Sequence, residues 1–394
     1  MNTIYFDNNA TTPVAPEVFD EMLPYLKEFY GNPSSMHTFG GQLHRKVEEA
    51  RFKVAQLIGA EPEEIIFTSC GTESDNTAIM SAVESLPGKR HIITTRVEHP
   101  AVLNFCKHLA RKGFRVTFLP VNNNGQLNID ELLKVLDEDT ALVSIMYANN
   151  ETGIVFPIVE IAEILKERRI LFHTDAVQAV GKIAIDTKKL PVDMLALSGH
   201  KLHAPKGVGA LYVRKGTRFY PYIIGGHQER GRRAGTENMA SIIGLGKACE
   251  LAGENLAEEI SYLKSLRNKL ETALLKSCPD VRINGDVNNR LPNTTNLSFE
   301  YVEGEAILLR LNEYGVCASS GSACTSGSLE PSHVLRAMGI PFTAIHGSIR
   351  FSLSRYNTEA EIDRVIEIMP GIIKELRLLS PFGREKLNQS IKCP

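Results

Sequence analysis

The sequence predicts an α/β fold built on a mainly parallel sheet with helices on both faces, joined to a smaller α+β region. Three observations predict it. Between residues 65 and 213, strand-like runs alternate with amphipathic helical stretches, the pattern of repeated βαβ units. Several of those runs are largely apolar, as expected of strands covered on both faces. Beyond about residue 280 the alternation gives way to a mixed order of strands and helices, which marks a second, smaller unit.

A chain of 394 residues is long enough for two domains. Hydrophobic residues make up 43% and charged residues 23%, the composition of an ordinary globular protein. A net charge of -2 argues against a nucleic-acid partner, which ordinarily goes with a basic excess. No apolar run is long enough to span a bilayer. The first residues, Met1 to Asp7, lack the basic and apolar regions of a signal peptide, so a cytoplasmic location without a membrane partner is expected. The seven cysteines are scattered, with no CxxC pair, which fits free thiols in a reducing compartment better than a disulfide framework or a zinc site.

Taken in order, Tyr5 to Pro13 reads as a short strand breaking into a polar turn, whose Asn and Thr residues could cap or line a site but are ordinary in turns. Residues 17–29 read as a helix with Val18, Met22 and Leu26 inward, stopped by Gly31-Asn32-Pro33. Residues 44–58 form an amphipathic helix with Gly59 as its stop. A strand over 65–68 leads to a helix opening at Gly71, with Thr72 and Asp75 spaced as a capping box. Further strands are expected over 91–95, 116–121, 142–148, 170–175, 194–198 and 209–213, with helices over 100–112, 129–136 and 159–168. The stretch from Gly225 to Asn238 is rich in glycine and arginine, suited to an anion or to a solvated basic loop. A long helix follows from Ala240 to about Lys276, then a strand over 295–299, a helix over 304–311 and a strand over 348–353. Thr358 and Glu361 form a capping box for a last helix, which Pro370 should kink or split. These elements divide into a large domain over 15–258, a small domain formed by 1–14 and 259–380, and a disordered tail over 381–394.

In open α/β sheets ligands bind at the carboxyl ends of the strands. Five such ends here carry Cys70-Gly71-Thr72, Glu98-His99-Pro100, Asn149-Asn150-Glu151, Thr174-Asp175-Ala176-Val177-Gln178 and Gly199-His200-Lys201. One polar strand end is unremarkable, but five converging ends indicate a cofactor pocket. Lys201 stands on a turn between two apolar strands. An amine held in a dry pocket loses its proton more readily and can form a Schiff base with an aldehyde. The alternative is a loop lysine that only looks buried.

Ser198-Gly199-His200-Lys201, Thr174 to Gln178, Glu98-His99-Pro100 and the Ser- and Gly-rich run around Cys324 together resemble the cysteine desulfurases. These are pyridoxal-phosphate (PLP) enzymes of the class-V aminotransferase family, with the fold type I architecture of aspartate aminotransferase. The resemblance runs from Asp7-Asn8-Asn9-Ala10 to Arg350-Phe351-Ser352, and segments 226–238 and 324–331 are most similar to the nitrogen-fixation (NifS) type. It implies that Lys201 carries PLP and moves protons at the substrate α-carbon. It implies that Asp175 pairs with the pyridinium nitrogen and that His99 stacks on the ring and assists proton transfer. A hydrogen-bonded histidine at a helix start is the plainer reading of His99. Gln178 and Asn150 would bond the ring's oxygen side, while Gly71, Thr72, Ser198 and His200 would hold the phosphate. Thr236 would reach the phosphate of a partner subunit, which implies a homodimer. Arg350, with Asn150, would bind the substrate carboxylate.

Cys324 would attack the sulfur of L-cysteine, giving L-alanine and a persulfide passed to an iron-sulfur scaffold or another acceptor protein. The same thiol would be a transient metal ligand during iron-sulfur cluster assembly. Its segment is expected to be exposed and mobile. Cys317 reads as a small buried residue, and Cys70 lies near the cofactor. A selenocysteine lyase or PLP aminotransferase of the same fold is the alternative enzyme. A non-catalytic sulfur carrier would have no need of Lys201, Asp175 and His99 together. A zinc site through His200 and His203 lacks a carboxylate or thiol at ligand spacing.

Overall fold

The computed structural model describes residues 3–320 and 331–380. The expectations for Cys324 and for the tail beyond residue 380 lie outside these residues. In chain order the first elements are β1 (Ile4–Tyr5), α1 (Pro16–Lys27), α2 (Thr38–Gly41) and α3 (Leu43–Ile58). Next come β2 (Ile65–Thr68), α4 (Gly71–Ser85), β3 (His91–Thr95), α5 (Pro100–Arg111), β4 (Arg115–Leu119), α6 (Ile129–Val135) and β5 (Thr140–Ser144). They are followed by α7 (Ile158–Glu167), β6 (Leu171–Asp175), β7 (Met194–Ser198), β8 (Gly209–Val213) and α8 (Met239–Ser277). The remainder comprises β9 (Val281–Ile283), β10 (Thr294–Phe299), α9 (Gly304–Glu313), β11 (Val316–Cys317), α10 (His333–Ala337), α11 (Phe342–Ile345), β12 (Ser348–Ser352) and α12 (Glu359–Leu379).

Seven strands form the main sheet in the order β2-β8-β7-β6-β5-β3-β4. Pairing is parallel from β7 through β4, and β8 runs antiparallel to both β7 and β2. Strands β5, β7 and β8 are buried at every position, which follows from helices on both faces. Successive residues alternate between those faces. Ile65, Phe67, Val143, Phe172 and Leu195 pack with α3, α7 and the first half of α8. Ile66, Ile92, Leu142, Met194 and Leu211 pack with Ala78, Ile79 and Ala82 of α4 and Val102, Cys106 and Leu109 of α5.

A second core gathers Phe6, Leu263, Leu266, Leu270 and Leu274 with Leu297, Phe299, Ile349, Phe351 and the buried side of α12. Its sheet has the order β12-β10-β9 and is antiparallel, while β1 pairs in parallel with β11. The 39-residue α8 therefore buries its first half in one core and its second half in the other. The N-terminal segment also joins the cores: the Asn8 amide donates to Ser352 O at 3.1 Å, and Thr12 N to His200 O at 3.0 Å. No helix among the described residues is long and apolar enough to cross a membrane.

Several expectations need correction. Leu26 is 61% exposed, so α1 buries only Val18 and Met22. Residues Thr72 and Asp75 make no capping box, because the cap position is Cys70 and α4 has already begun at Gly71. The strand expected over 142–148 ends at Ser144, where the backbone leaves the sheet. Pro370 does not split α12, which runs on to Leu379 with Ile368, Met369, Ile372 and Ile373 buried around the proline. Packing of that face outweighs the single lost hydrogen bond. Cys317 is half-buried rather than buried.

Candidate active site

The turn between β7 and β8 sets the position of Lys201. Gly199 N donates to Val208 O at 2.9 Å, and Leu202 N closes one tight turn onto Gly199 O at 2.8 Å. A Cβ at Gly199 would lie 2.9 Å from Val208 Cγ1 and 3.1 Å from Ala204 Cβ, so only glycine admits this close approach. The Lys201 amine then points to the N-terminal segment, donating to Asn9 O and Ala10 O at 2.6 Å each.

Lys201 opens onto a cavity of about 360 Å3. Ten residues singled out in the sequence line it: Gly71, Thr72, His99, Asn150, Asp175, Gln178, Ser198, His200, Lys201 and Arg350. Cys70 lines it too. Thr236 lies elsewhere, in a cavity of about 190 Å3 that it shares with Ser69 and Gly235.

Asp175 ends β6 and is 6% exposed; its Oδ1 accepts from Val177 N at 2.9 Å. Burial pushes its carboxyl up, and the nearby His99 and Lys201 pull it back down. Asp75 is driven further up, by burial and then by Asp175 and Glu98. Its Oδ1 lies 3.4 Å from Nε2 of His173, whose ring burial holds neutral with a pKa of about 3. Glu98, fully buried, is raised to about 8, mainly by burial. Of the three carboxyls, Asp175 is the one with the Lys201 amine near it and a backbone amide bonded to it, and so the one suited to remain charged.

His99 caps α5, its Nδ1 accepting from Ala101 N at 3.2 Å, and also lines the cavity. Burial lowers its pKa, so the ring is neutral near pH 7. With Nδ1 accepting, the proton of the neutral ring sits on Nε2. His200, its Nδ1 3.2 Å from Thr11 Oγ1, is lowered to about 4, by burial first and then by Lys201.

Opposite, α4 presents its first amides at Gly71 and Thr72, groups that a helix cannot satisfy internally. A Cβ at Gly71 would lie 2.7 Å from Val177 Cγ2, so glycine keeps this end open. The Ser198 hydroxyl is buried with no hydrogen-bond partner. Arg350 is 2% exposed, donating from Nη2 to Asp7 Oδ1 at 2.5 Å and from Nη1 to Asn150 O at 3.0 Å.

Some of the site escaped the sequence reading. Asn9 lines the cavity and bonds Thr294, Asn150, Ser352, Asn293, Gln178 and Lys201, yet in sequence it reads as a turn residue. Met146, Ala148 and Val177 form apolar wall, and Asp7 is the partner of Arg350. The arginines of the glycine-rich stretch do not face the cavity. Arg233 bonds Glu73 at 2.9 and 3.2 Å, Arg232 bonds Ile65 O at 3.2 Å, and Glu229 from the same stretch binds Arg51 at 2.7 and 2.8 Å. Glu229, Arg232 and Arg233 thus brace that stretch against β2, α3 and α4, while Gly225 to His227, Arg230, Gly231, Gly235 and Thr236 stay exposed. Among the described residues, no three His, Cys, Asp or Glu side chains gather as a metal site.

Residues 4–365 match the aminotransferase class-V family. Over 386 residues, covering 98% of this chain and 96% of the relative, the chain is 64% identical to a protein of Trichormus azollae named cysteine desulfurase. It is 58% identical over 383 residues to cysteine desulfurase NifS of Azotobacter vinelandii, covering 97% of this chain and 95% of that one. A solved structure described as a NifS-like protein superposes with a TM-score of 0.90 at 42% identity, covering 95% of this chain and 100% of the other. A NifS-like protein from Rickettsia africae gives 0.85 at 33% identity, with coverages of 95% and 100%.

Proposed function

The chain belongs to the aminotransferase class-V family as a cysteine desulfurase, and from that premise we propose that it uses PLP to convert L-cysteine into L-alanine and a persulfide on Cys324. The observation that carries this reading is the placement of the Lys201 amine and the Asp175 carboxylate on one cavity. The donor set fits PLP. The unpartnered Ser198 hydroxyl and the open amides of α4 suit its phosphate, with Thr72 and His200 beside them. Asp175 suits the ring nitrogen, Gln178 and Asn150 the oxygen side, His99 the ring face, and Lys201 the aldehyde carbon.

When bound, PLP supplies an electron sink next to the substrate α-carbon. Asp175 keeps the ring nitrogen protonated, and Lys201 takes and returns the α-proton. Arg350, already aligned by Asp7, receives the substrate carboxylate through its planar fork. The Cys324 thiolate attacks the substrate sulfur: an S–S bond forms as the C–S bond breaks, the electron pair stays on the carbon side, and protonation yields alanine. The persulfide then passes to an iron-sulfur scaffold or other acceptor protein, with Cys324 as a transient cluster ligand. Similarity to NifS of Azotobacter vinelandii supports a role in nitrogen fixation.

A homodimer would account for Thr236, which lines a separate cavity from Lys201 and would serve the partner's phosphate. Exposed Tyr30, Met36 and Phe39 supply apolar surface for such an interface. We read a large domain over 15–258 and a small domain from 1–14 and 259–380; Phe6 and α12 pack in the second core, although Leu291 and the stretch from Val334 to Ile345 pack in the first. The free thiols Cys70, Cys106, Cys249, Cys278 and Cys317 are consistent with a cytoplasmic setting.

Purified protein should show the visible absorption of bound PLP, lost in Lys201→Ala, and scatter light as a dimer. After brief incubation with L-cysteine, peptide mass spectrometry should find added sulfur on Cys324, none in Cys324→Ala, and full activity in Cys317→Ala. Sulfur on Cys317 or Cys70, with Cys324→Ala still active, would overturn the assignment.

A further inference from the structure

A half-buried lysine without a carboxylate to pair with calls for a reason. Lys182 lies four residues after Gln178, and both its hydrogen-bond partners are neutral amides. Its Nζ donates to Gln178 Oε1 at 2.6 Å and reaches Asn9 Oδ1 at 3.5 Å. At the other end of the same side-chain amide, Gln178 Nε2 donates to Asn9 O at 2.9 Å.

We propose that Lys182 is a positioning residue that fixes the polarity of the Gln178 amide, so that Gln178 meets the cofactor only as a donor. The inference rests on the reading of the cavity as a PLP site. Two neighbours impose one orientation. An ammonium aimed at the amide must meet its oxygen, and a backbone carbonyl must meet its NH2. A flip would set oxygen against oxygen at Asn9 and NH2 against Nζ at Lys182. Nε2 carries two protons, and one is spent on Asn9 O. The second belongs to a residue that lines the cavity, and it suits an anionic oxygen there. Burial, with Lys201 and Arg350 adding to it, lowers the Lys182 amine to about 7. The ammonium form enforces the orientation strictly; the neutral amine still donates to Gln178 Oε1, and the Asn9 carbonyl keeps the NH2 on its own side.

The test is a double-mutant cycle on PLP affinity, measured by titrating apo-protein and following the absorption of the bound cofactor. Circular dichroism of each apo-protein checks that it folds. Lys182→Met should weaken binding about ten-fold, as should Gln178→Leu, since each removes one oriented hydrogen bond. The double variant should bind within about two-fold of Gln178→Leu alone, because the lysine has lost the group through which it acts. Lys182→Arg, which still donates, should return to within about three-fold of wild type. Wild-type affinity in Lys182→Met, or losses that multiply in the double variant, overturns the positioning role. Wild-type protein that takes up no PLP overturns the reading of the cavity itself.

Discussion

The Arg350 side chain makes two bonds among the described residues, to Asp7 Oδ1 and Asn150 O, and its Nε is buried with no partner among them. A guanidinium so placed is oriented before any ligand arrives. Removing a hydrogen bond to a charged ligand group costs about 1.5–3 kcal/mol, so Arg350→Ala should raise KM for L-cysteine roughly 10- to 100-fold while PLP absorption persists. Asp7→Asn, which keeps an acceptor but loses the charge, should raise it by a smaller factor. An unchanged KM in Arg350→Ala would remove the residue from substrate binding. At this scale the sequence was legible where chemistry and position coincide. Asp175, His99 and Lys201 are reactive groups that end or follow apolar runs, and all three reach the cavity. Asn9 and Lys182 were not legible, because their meaning lies in contacts with residues far along the chain or in the direction of one amide. Asp7 pairs with an arginine 343 positions away, which no local pattern encodes.

Helix starts show how far one signal carries. The Thr358–Glu361 box is present, with Thr358 accepting from Glu361 N at 3.3 Å and Glu361 returning a bond to Thr358 N at 2.8 Å. Thr358→Ala should destabilise the fold by about 1 kcal/mol, read as a lower urea midpoint with unchanged slope. No shift would show that α12 is held by its packing alone. The same spacing at Thr72 and Asp75 misled, because both already lie inside α4 and Asp75 is buried beside Asp175. Strand positions were read well and their ends less so. Apolar runs such as 142–148 continue past Ser144 because Ile145 and Met146 remain buried after the strand has ended. Burial and strand pairing are different properties, and sequence reports the first.

Across the whole molecule, several buried histidines set an acid limit on stability. Burial lowers His173 to about 3, and His200 and His203 to about 4. Each prefers the neutral form when folded, so its contribution is complete above about pH 6.5 and is lost as pH falls toward the folded value. Glu98 acts in the opposite sense: raised to about 8, it contributes fully below about pH 4.5 and loses that contribution as pH rises through 8. Tm should therefore fall on acidification from pH 6.5 to 4, and His173→Asn should show a shallower fall than wild type. Parallel curves for the two proteins would show that this histidine does not carry the effect. The change of rhythm near residue 280 marks the second core only in part, because Leu291 and the stretch from Val334 to Ile345 beyond it pack in the first. That α8 belongs to both cores was not legible, since its apolar spacing is continuous along its length.

The stitching of Asn8 and Asn9 to Ser352 has a consequence for the order of events during synthesis. These bonds join residues 343 and 344 positions apart in the chain. At about 5–20 residues per second, the first strand and its asparagines leave the ribosome roughly 17 to 70 s before their partner strand exists. The Asn9 carbonyl that receives the Lys201 amine is held by Gln178 as well, but its segment is fully fixed only once this late part of the chain has been made. A nascent chain could complete its large sheet and still lack a finished cofactor site until β12 arrives to lock the beginning of the polypeptide against its end.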